Sequence, residues 1–298
     1  MKNFLVLLLI TVSATVGTAP AAPQDQPAPV AVAKRYIPAL NKILEYQAKV
    51  ADLHVALISP YPVAIVESGQ IVIFEPDPAS KTYRPVKAVP DTFNIPMGIR
   101  AAMPLSVWDN RMVCVVSGEV FDEPRGYVMI LHEFVHCYEW DTCEQALKDR
   151  MAIFREAMKK KDYMWELQFP FPYSQTEWVK LYGNWLAALE KNQEGVASDL
   201  RDKLCGLLSA DDWEYMTWQE WKEGLARCLE NKISARLGLP VNRYGCLPPF
   251  DRVSFYCGGA LLIDHLWRTN AVPAGDIEAL YLAISSKKSG SAESKEIK

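Results

Sequence analysis

The stretch Met129-Ile130-Leu131-His132-Glu133-Phe134-Val135-His136-Cys137-Tyr138 decides how this chain is read. Two histidines stand four residues apart, with a glutamate directly after the first. On an α-helix, positions i and i+4 share a face, so both imidazoles can turn toward one metal ion. Glu133, on the same helix, can reach a water held by that ion and act as its general base. Apart from these three residues the stretch is uncharged and mostly apolar, as a helix packed into a core requires. Asp122 suits the N-cap of such a helix and Pro124 its first turn.

Two imidazoles do not complete a catalytic zinc site, which takes three protein ligands and keeps one position open for water. No third histidine follows at the short spacing HExxHxxGxxH, because residue 142 is Thr. The remaining histidines, His54 and His265, are isolated and are expected to serve packing or surface hydrogen bonds. A downstream carboxylate is the other solution. Thr217 to Glu230 offers Glu220, Glu223 and Glu230, which share one helical face with Arg227.

Outward from the motif, the texture divides the chain. Upstream, Tyr36–Val50 has helical apolar spacing, and Val55–Ile58, Val63–Val66, Ile71–Phe74 and Met112–Val116 are short β-branched runs set among turn residues. Gly69-Gln70 marks a hairpin between two of them. Downstream, 142–161, 174–193, 197–208, 213–232, 251–268 and 275–285 read as helices. The expected fold is α+β: a small N-terminal mixed β-sheet followed by a mostly helical C-terminal half. At this helical spacing Trp213, Trp218 and Trp221 are expected in the core.

The ends have a different character. Phe4–Ile10 is an unbroken apolar run behind Lys2, and Ala19-Pro20-Ala21 fits a cleavage site. Residues 1–22 therefore read as a signal peptide, 23–32 as a flexible Pro/Ala-rich leader and 286–298 as a disordered tail. The domain proper is expected over 33–285, and no other stretch is apolar enough to span a bilayer. A secreted or periplasmic location follows. An oxidising compartment permits disulfides, and of the seven cysteines the pairs Cys246/Cys257 and Cys137/Cys143 are close enough in sequence to bridge.

Composition excludes other classes. Of 298 residues, 50% are hydrophobic and 23% charged, enough to bury a sizeable core. The net charge of −4 and the absence of a basic stripe argue against nucleic-acid binding. Neither GxxxxGK[ST] nor GxGxxG occurs, which disfavours a nucleotide enzyme.

HEFVH followed by Trp221-Lys222-Glu223-Gly224-Leu225-Ala226 resembles the gluzincin metallopeptidases, whose third ligand sits in a W-x-E-G-x-A or N-E-G-x-A helix. The resemblance implies a zincin-like fold and one Zn2+ held by His132, His136 and Glu223. Gly224 would let two helices approach closely beside the metal. Tyr256-Cys257-Gly258-Gly259-Ala260 looks like the Y-x-x-G-A segment of the aminopeptidase-related members, where the Tyr hydroxyl donates to the oxyanion. That implies catalytic roles for Glu133 and Tyr256 and a peptide or protein substrate. Those relatives also carry G-x-M-E-N before the zinc helix. Here Ala101-Ala102-Met103-Pro104-Leu105 keeps the methionine but has proline in place of the acid, leaving endopeptidase-like specificity open.

The resemblance covers these short motifs only. The 87 positions from His136 to Glu223 exceed the compact family spacing and imply a helical insertion over about 142–208. In zincins an edge strand ahead of the zinc helix pairs with bound peptide. Met112–Val116 or Met97–Val107 is the candidate for it. The expected activity is peptide-bond hydrolysis. The alternatives are a catalytically silent peptide- or wall-binding protein on the same scaffold, and a zinc amidase with a non-peptide substrate.

Overall fold

A computed structural model describes the backbone over residues 29–287 and side chains from Lys34 to Lys287. The signal peptide read over 1–22, most of the 23–32 leader and the end of the 286–298 tail lie outside the described residues. The described residues form two compact units, one running up to Thr142 together with Leu229–Val241, the other comprising Cys143–Cys228 and the chain from Asn242 on. No helix among them is long and apolar enough to cross a membrane.

The first unit opens with helix α1, Pro29–Ala48, which starts ahead of the periodic stretch at Tyr36. Five strands follow: β1 Val63–Glu67, β2 Gln70–Asp77, β3 Thr82–Pro90, β4 Arg100–Leu105 and β5 Arg111–Ser117. The sheet order is β3-β2-β1-β5-β4, with β1 and β5 parallel and the other pairs antiparallel, so the sheet is mixed as expected. The β1–β2 hairpin turns on Ser68 (φ 49°) and Gly69 (φ 71°). Two positive-φ residues in a two-residue loop match the right-handed strand twist. Val55–Ile58 is not a strand: Val55–Leu57 form a 3-10 turn capped by His54, whose Nδ1 accepts from Ala56 N at 3.1 Å. The run is too short to outweigh that local cap.

One sheet face is packed by Ala64, Val66, Ile71, Ile73, Val113 and Val115 with Ile95, Ile99, Leu105 and Trp108. On the other side α1 packs against β2 and β3, and helix α2, Pro124–Glu139, against β4 and β5. Covering both faces explains why β1 and β5 read as near-continuous apolar runs rather than alternating ones. The substrate-edge expectation divides here. β5 lies inside the sheet, between β1 and β4, so Met112–Val116 is not an edge, whereas β4, within Met97–Val107, is. Pro104 is tolerated there because an edge strand need not donate every N–H.

The second unit is helical: α3 Gln145–Arg150, α4 Ala152–Lys160, α5 Trp165–Gln168, α6 Thr176–Glu190, α7 Glu194–Leu207, most of α8 Ala210–Arg236, α9 Ser254–Arg268 and α10 Ile277–Ser285. The stretch 142–208, expected as an insertion, supplies α3 to α7 of this unit. Its core is aromatic: Trp178, Tyr182, Trp185 and Phe255 are buried, as are Trp213, Trp218 and Trp221. Helices α8 and α9 cross where Gly224 meets Gly259. A Cβ at Gly224 would lie 2.5 Å from Gly259 Cα, and one at Gly259 would lie 2.0 Å from the Glu220 carbonyl oxygen. The close approach expected of Gly224 is therefore present. Cys246 and Cys257 form a disulfide that ties the α8–α9 connection to the first turn of α9. Cys137 and Cys143 are not joined by a disulfide. Six residues along a helical path turn their side chains to different faces.

Candidate metal centre

Helix α2 begins as its sequence dictates, with Pro124 in its first turn, but the N-cap is Glu123 rather than Asp122, and no side chain closes the cap. The apolar residues around the motif, Ile130, Leu131, Phe134 and Val135, are fully buried. That packing fixes the helix rotation, and His132, Glu133 and His136 are themselves buried. The two imidazole rings stand edge to face, with centroids 5.0 Å apart.

Each imidazole has a carboxylate behind it. His132 Nδ1 lies 3.1 Å from Glu230 Oε2, and His136 Nδ1 lies 2.7 Å from Glu139 Oε2. An ionised carboxylate only accepts, so such a partner favours the tautomer with the proton on Nδ1 and the lone pair on Nε2. This carboxylate–histidine pairing favours the tautomer and orientation that a metal-binding imidazole needs. Glu230 belongs to the last turns of α8, where Arg236 is anchored to Asp52 at 2.9 Å. Glu223 lies seven residues earlier on that continuous helix, and seven residues is close to two turns, so both carboxylates sit on one face.

His132, His136 and Glu223 each offer one ligand atom, and the three atoms lie within 4.8 Å of one another. They are the group of His, Cys, Asp and Glu among the described residues that can hold a metal ion. The donor set fits such an ion: two imidazoles, each with a carboxylate beside its Nδ1, and one carboxylate, in surroundings that exclude most water. Glu223 is oriented in turn. Its side chain is 12% exposed, and Arg252 Nη1 donates to its Oε1 at 3.2 Å and to Gln219 Oε1 at 3.0 Å.

The rival carboxylates do other work. Glu220 is fully buried and faces Arg201 Nη2 at 2.6 Å, with the Tyr182 hydroxyl donating to it at 3.4 Å. Burial pushes its carboxyl upward against the pull of Arg201. Glu230 is the His132 partner described above. His54 and His265 lie outside the group. His265 Nδ1 is 3.3 Å from Arg268 Nη2, and His54 caps its 3-10 turn, as isolated histidines were expected to do.

Glu133 accepts a hydrogen bond from Ala102 N at 2.8 Å, so the carboxylate lies against edge strand β4. Tyr256, in the first turn of α9, is buried, with the guanidinium carbons of Arg227 and Arg252 at 5.4 and 5.2 Å from its ring centre. It is not one of the three grouped residues. Arg252 relates it to the group by lying over the phenol ring while bonding Glu223. Behind Glu223, Lys222 is held by Glu144 at 3.1 Å and Glu166 at 2.9 Å. Burial opposes ionisation of Glu166, but the ammonium groups of Lys222 and Lys148 outweigh it and hold that carboxyl at about 2.

Sequence reasoning did not single out Glu139, Arg252 or Gln219. Glu139 left a signal, being an acid three residues after His136 on a largely apolar helix. Arg252 left none, because its partner lies 29 positions away. Comparison with known proteins finds no family, no curated protein and no solved structure that matches this chain.

Proposed function

We propose that this chain is an exported zinc-dependent metallopeptidase of the gluzincin kind. The observation that carries the reading is the His132, His136 and Glu223 group, each imidazole backed by its own carboxylate. A chance cluster has no reason to place a carboxylate behind each imidazole. His132, His136 and Glu223 would hold the ion, which when bound supplies a Lewis acid and brings the pKa of a bound water toward ~7. Glu133 takes a proton from the attacking water and returns it to the leaving amine. The Tyr256 hydroxyl, a neutral donor near pH 7, donates to the oxygen on which charge develops. Strand β4 offers an edge along which an extended peptide can pair, beside the Glu133 carboxylate. The Cys246–Cys257 disulfide is in keeping with export to an oxidising compartment.

The test is a peptide-library and casein digest by wild type and by Glu133→Gln. The account expects cleavage by wild type and a loss of roughly a hundredfold or more in the variant with metal retained, since an amide cannot take the proton. Wild-type turnover in Glu133→Gln would exclude it as the base. Hydrolysis of small amides without any peptide cleavage would instead favour a zinc amidase.

A further inference from the structure

A guanidinium carries five N–H donors, and the number its own protein occupies decides whether it can also hold a ligand. The side chain of Arg252 makes two hydrogen bonds, both through Nη1, to Gln219 Oε1 at 3.0 Å and to Glu223 Oε1 at 3.2 Å. Those acceptors stand four apart on α8, so one nitrogen is pinned across a helical turn. Nε and Nη2, which carry the remaining donors, make no hydrogen bond among the described residues. Neither is among the polar atoms sealed from solvent without a partner, so both reach solvent. They lie side by side along one edge of the guanidinium, the spacing that matches the two oxygens of a carboxylate.

Arg252 is itself held in place. It sits in a turn in which Val253 N donates to Asp251 Oδ1 at 2.8 Å and Asp251 N to Ser254 Oγ at 3.0 Å. The α8–α9 crossing at Gly224 and Gly259, together with the Cys246–Cys257 bond, keeps that turn against α8. The side chain is only 14% exposed, and in such surroundings a charge-assisted bond to an anion is stronger than in bulk water. Positive charge is gathered here: the guanidinium carbons of Arg252 and Arg227 lie 5.2 and 5.4 Å from the ring centre of Tyr256. Arg252 thus touches Glu223 on one side and lies over Tyr256, two residues of the proposed site. A carboxylate held at ~2.8 Å on its Nε–Nη2 edge would sit across one guanidinium from Glu223. That separation is spanned by about one or two residues of extended chain, at ~3.5 Å each.

We propose that Arg252 is a specificity-determining residue whose Nε–Nη2 edge binds a carboxylate of the peptide substrate, about one or two residues from the bond that is cut. The carboxylate is supplied by the end of the chain or by an acidic side chain near that bond. This rests on the metallopeptidase reading above and adds to it a substrate class and a residue outside the resembling motifs.

The experiment gives the zinc-loaded mature protein matched pairs of N-acetylated peptides and reads the cut site and kcat/KM by mass spectrometry. One series compares a free C-terminal carboxylate with the carboxamide of the same sequence. The other keeps the carboxamide end and compares Asp with Asn, and Glu with Gln, at each position in turn. Wild type is expected to favour the carboxylate member of one series by about tenfold or more, with the cut within about two residues of it. The series that shows the preference identifies the source of the carboxylate. In zinc-loaded Arg252→Gln the ratio within that series is expected to fall to about one, whereas a merely structural loss slows both members alike. Equal rates within every pair for wild type overturn the inference and leave the peptidase reading standing. A wild-type ratio in zinc-loaded Arg252→Gln overturns it as well. Should that variant fail to fold or to keep zinc, Arg252→Lys carries the test. It retains a cation for Glu223 but lacks the two-donor edge, so an undiminished ratio there overturns the inference. Zinc-loaded wild type that cuts no peptide of either series refutes the peptidase reading, and this inference with it.

Discussion

Replacing Gly224 by alanine perturbs the crossing of α8 and α9 at the residue next to Glu223. The added Cβ would lie 2.5 Å from Gly259 Cα and 2.7 Å from its carbonyl carbon, and neither is the movable end of a side chain. Ordinary contact begins near 3.4 Å, so the helices must part by about an ångström. Overpacking of that kind costs about 1–3 kcal/mol, with the upper half expected where backbone meets backbone. Alanine's better helix propensity returns up to ~1 kcal/mol. The net loss expected is about 2 kcal/mol, which lowers Tm by roughly 4–8 °C in a protein of this size. Gly206→Ala on α7 is the matched control, since a Cβ there meets nothing within 4 Å, and that variant should equal or slightly exceed wild type. Thermal unfolding followed by circular dichroism reads both. Because Glu223 moves with the backbone beside it, metal affinity should fall in Gly224→Ala and not in Gly206→Ala. A Gly224→Ala protein as stable as wild type would refute the reasoning, because it would mean that the crossing has room.

Glu139→Ala and Glu230→Ala each remove the partner of one histidine Nδ1 and should weaken zinc binding by about 10–100-fold, as measured by chelator competition, while leaving the ligand atoms in place. Unchanged affinity in both would separate these carboxylates from the metal. Glu166, held at about 2 against an ordinary 4.5, contributes stability that is fully present above about pH 5 and lost as pH falls through its folded value. Melting curves of wild type and Glu166→Gln should therefore converge on acidification. Parallel curves from pH 6 to pH 3 would show that the Lys222 pair adds no pH-dependent stability.

The HExxH helix was legible because its chemistry is local. Four-residue spacing and uncharged flanks follow from helix geometry alone, and α2 buries the residues that the spacing says it should. The mixed sheet was legible in part. β1, β2 and β5 announce themselves as β-branched runs, but their order depends on pairings far apart in sequence, so the edge role of β4 over β5 could not be read. Among the carboxylates of α8, periodicity places Glu220, Glu223 and Glu230 on one face without choosing between them. What separates them is tertiary: Arg201 waits at Glu220, His132 at Glu230 and Arg252 at Glu223. Val55–Ile58 misled because β-branched content says nothing of the His54 cap that winds it into a turn.

The central claim is one metal on His132, His136 and Glu223, and metal content of purified protein measured by inductively coupled plasma mass spectrometry tests it most directly. The account predicts about one zinc per chain in wild type and in Glu220→Gln, whose site of action is the Arg201 pair. It predicts loss of zinc in folded His132→Ala, His136→Ala and Glu223→Ala, because two remaining ligands hold the ion poorly. Equal zinc in wild type and all three alanine variants, or none in wild type, would contradict it.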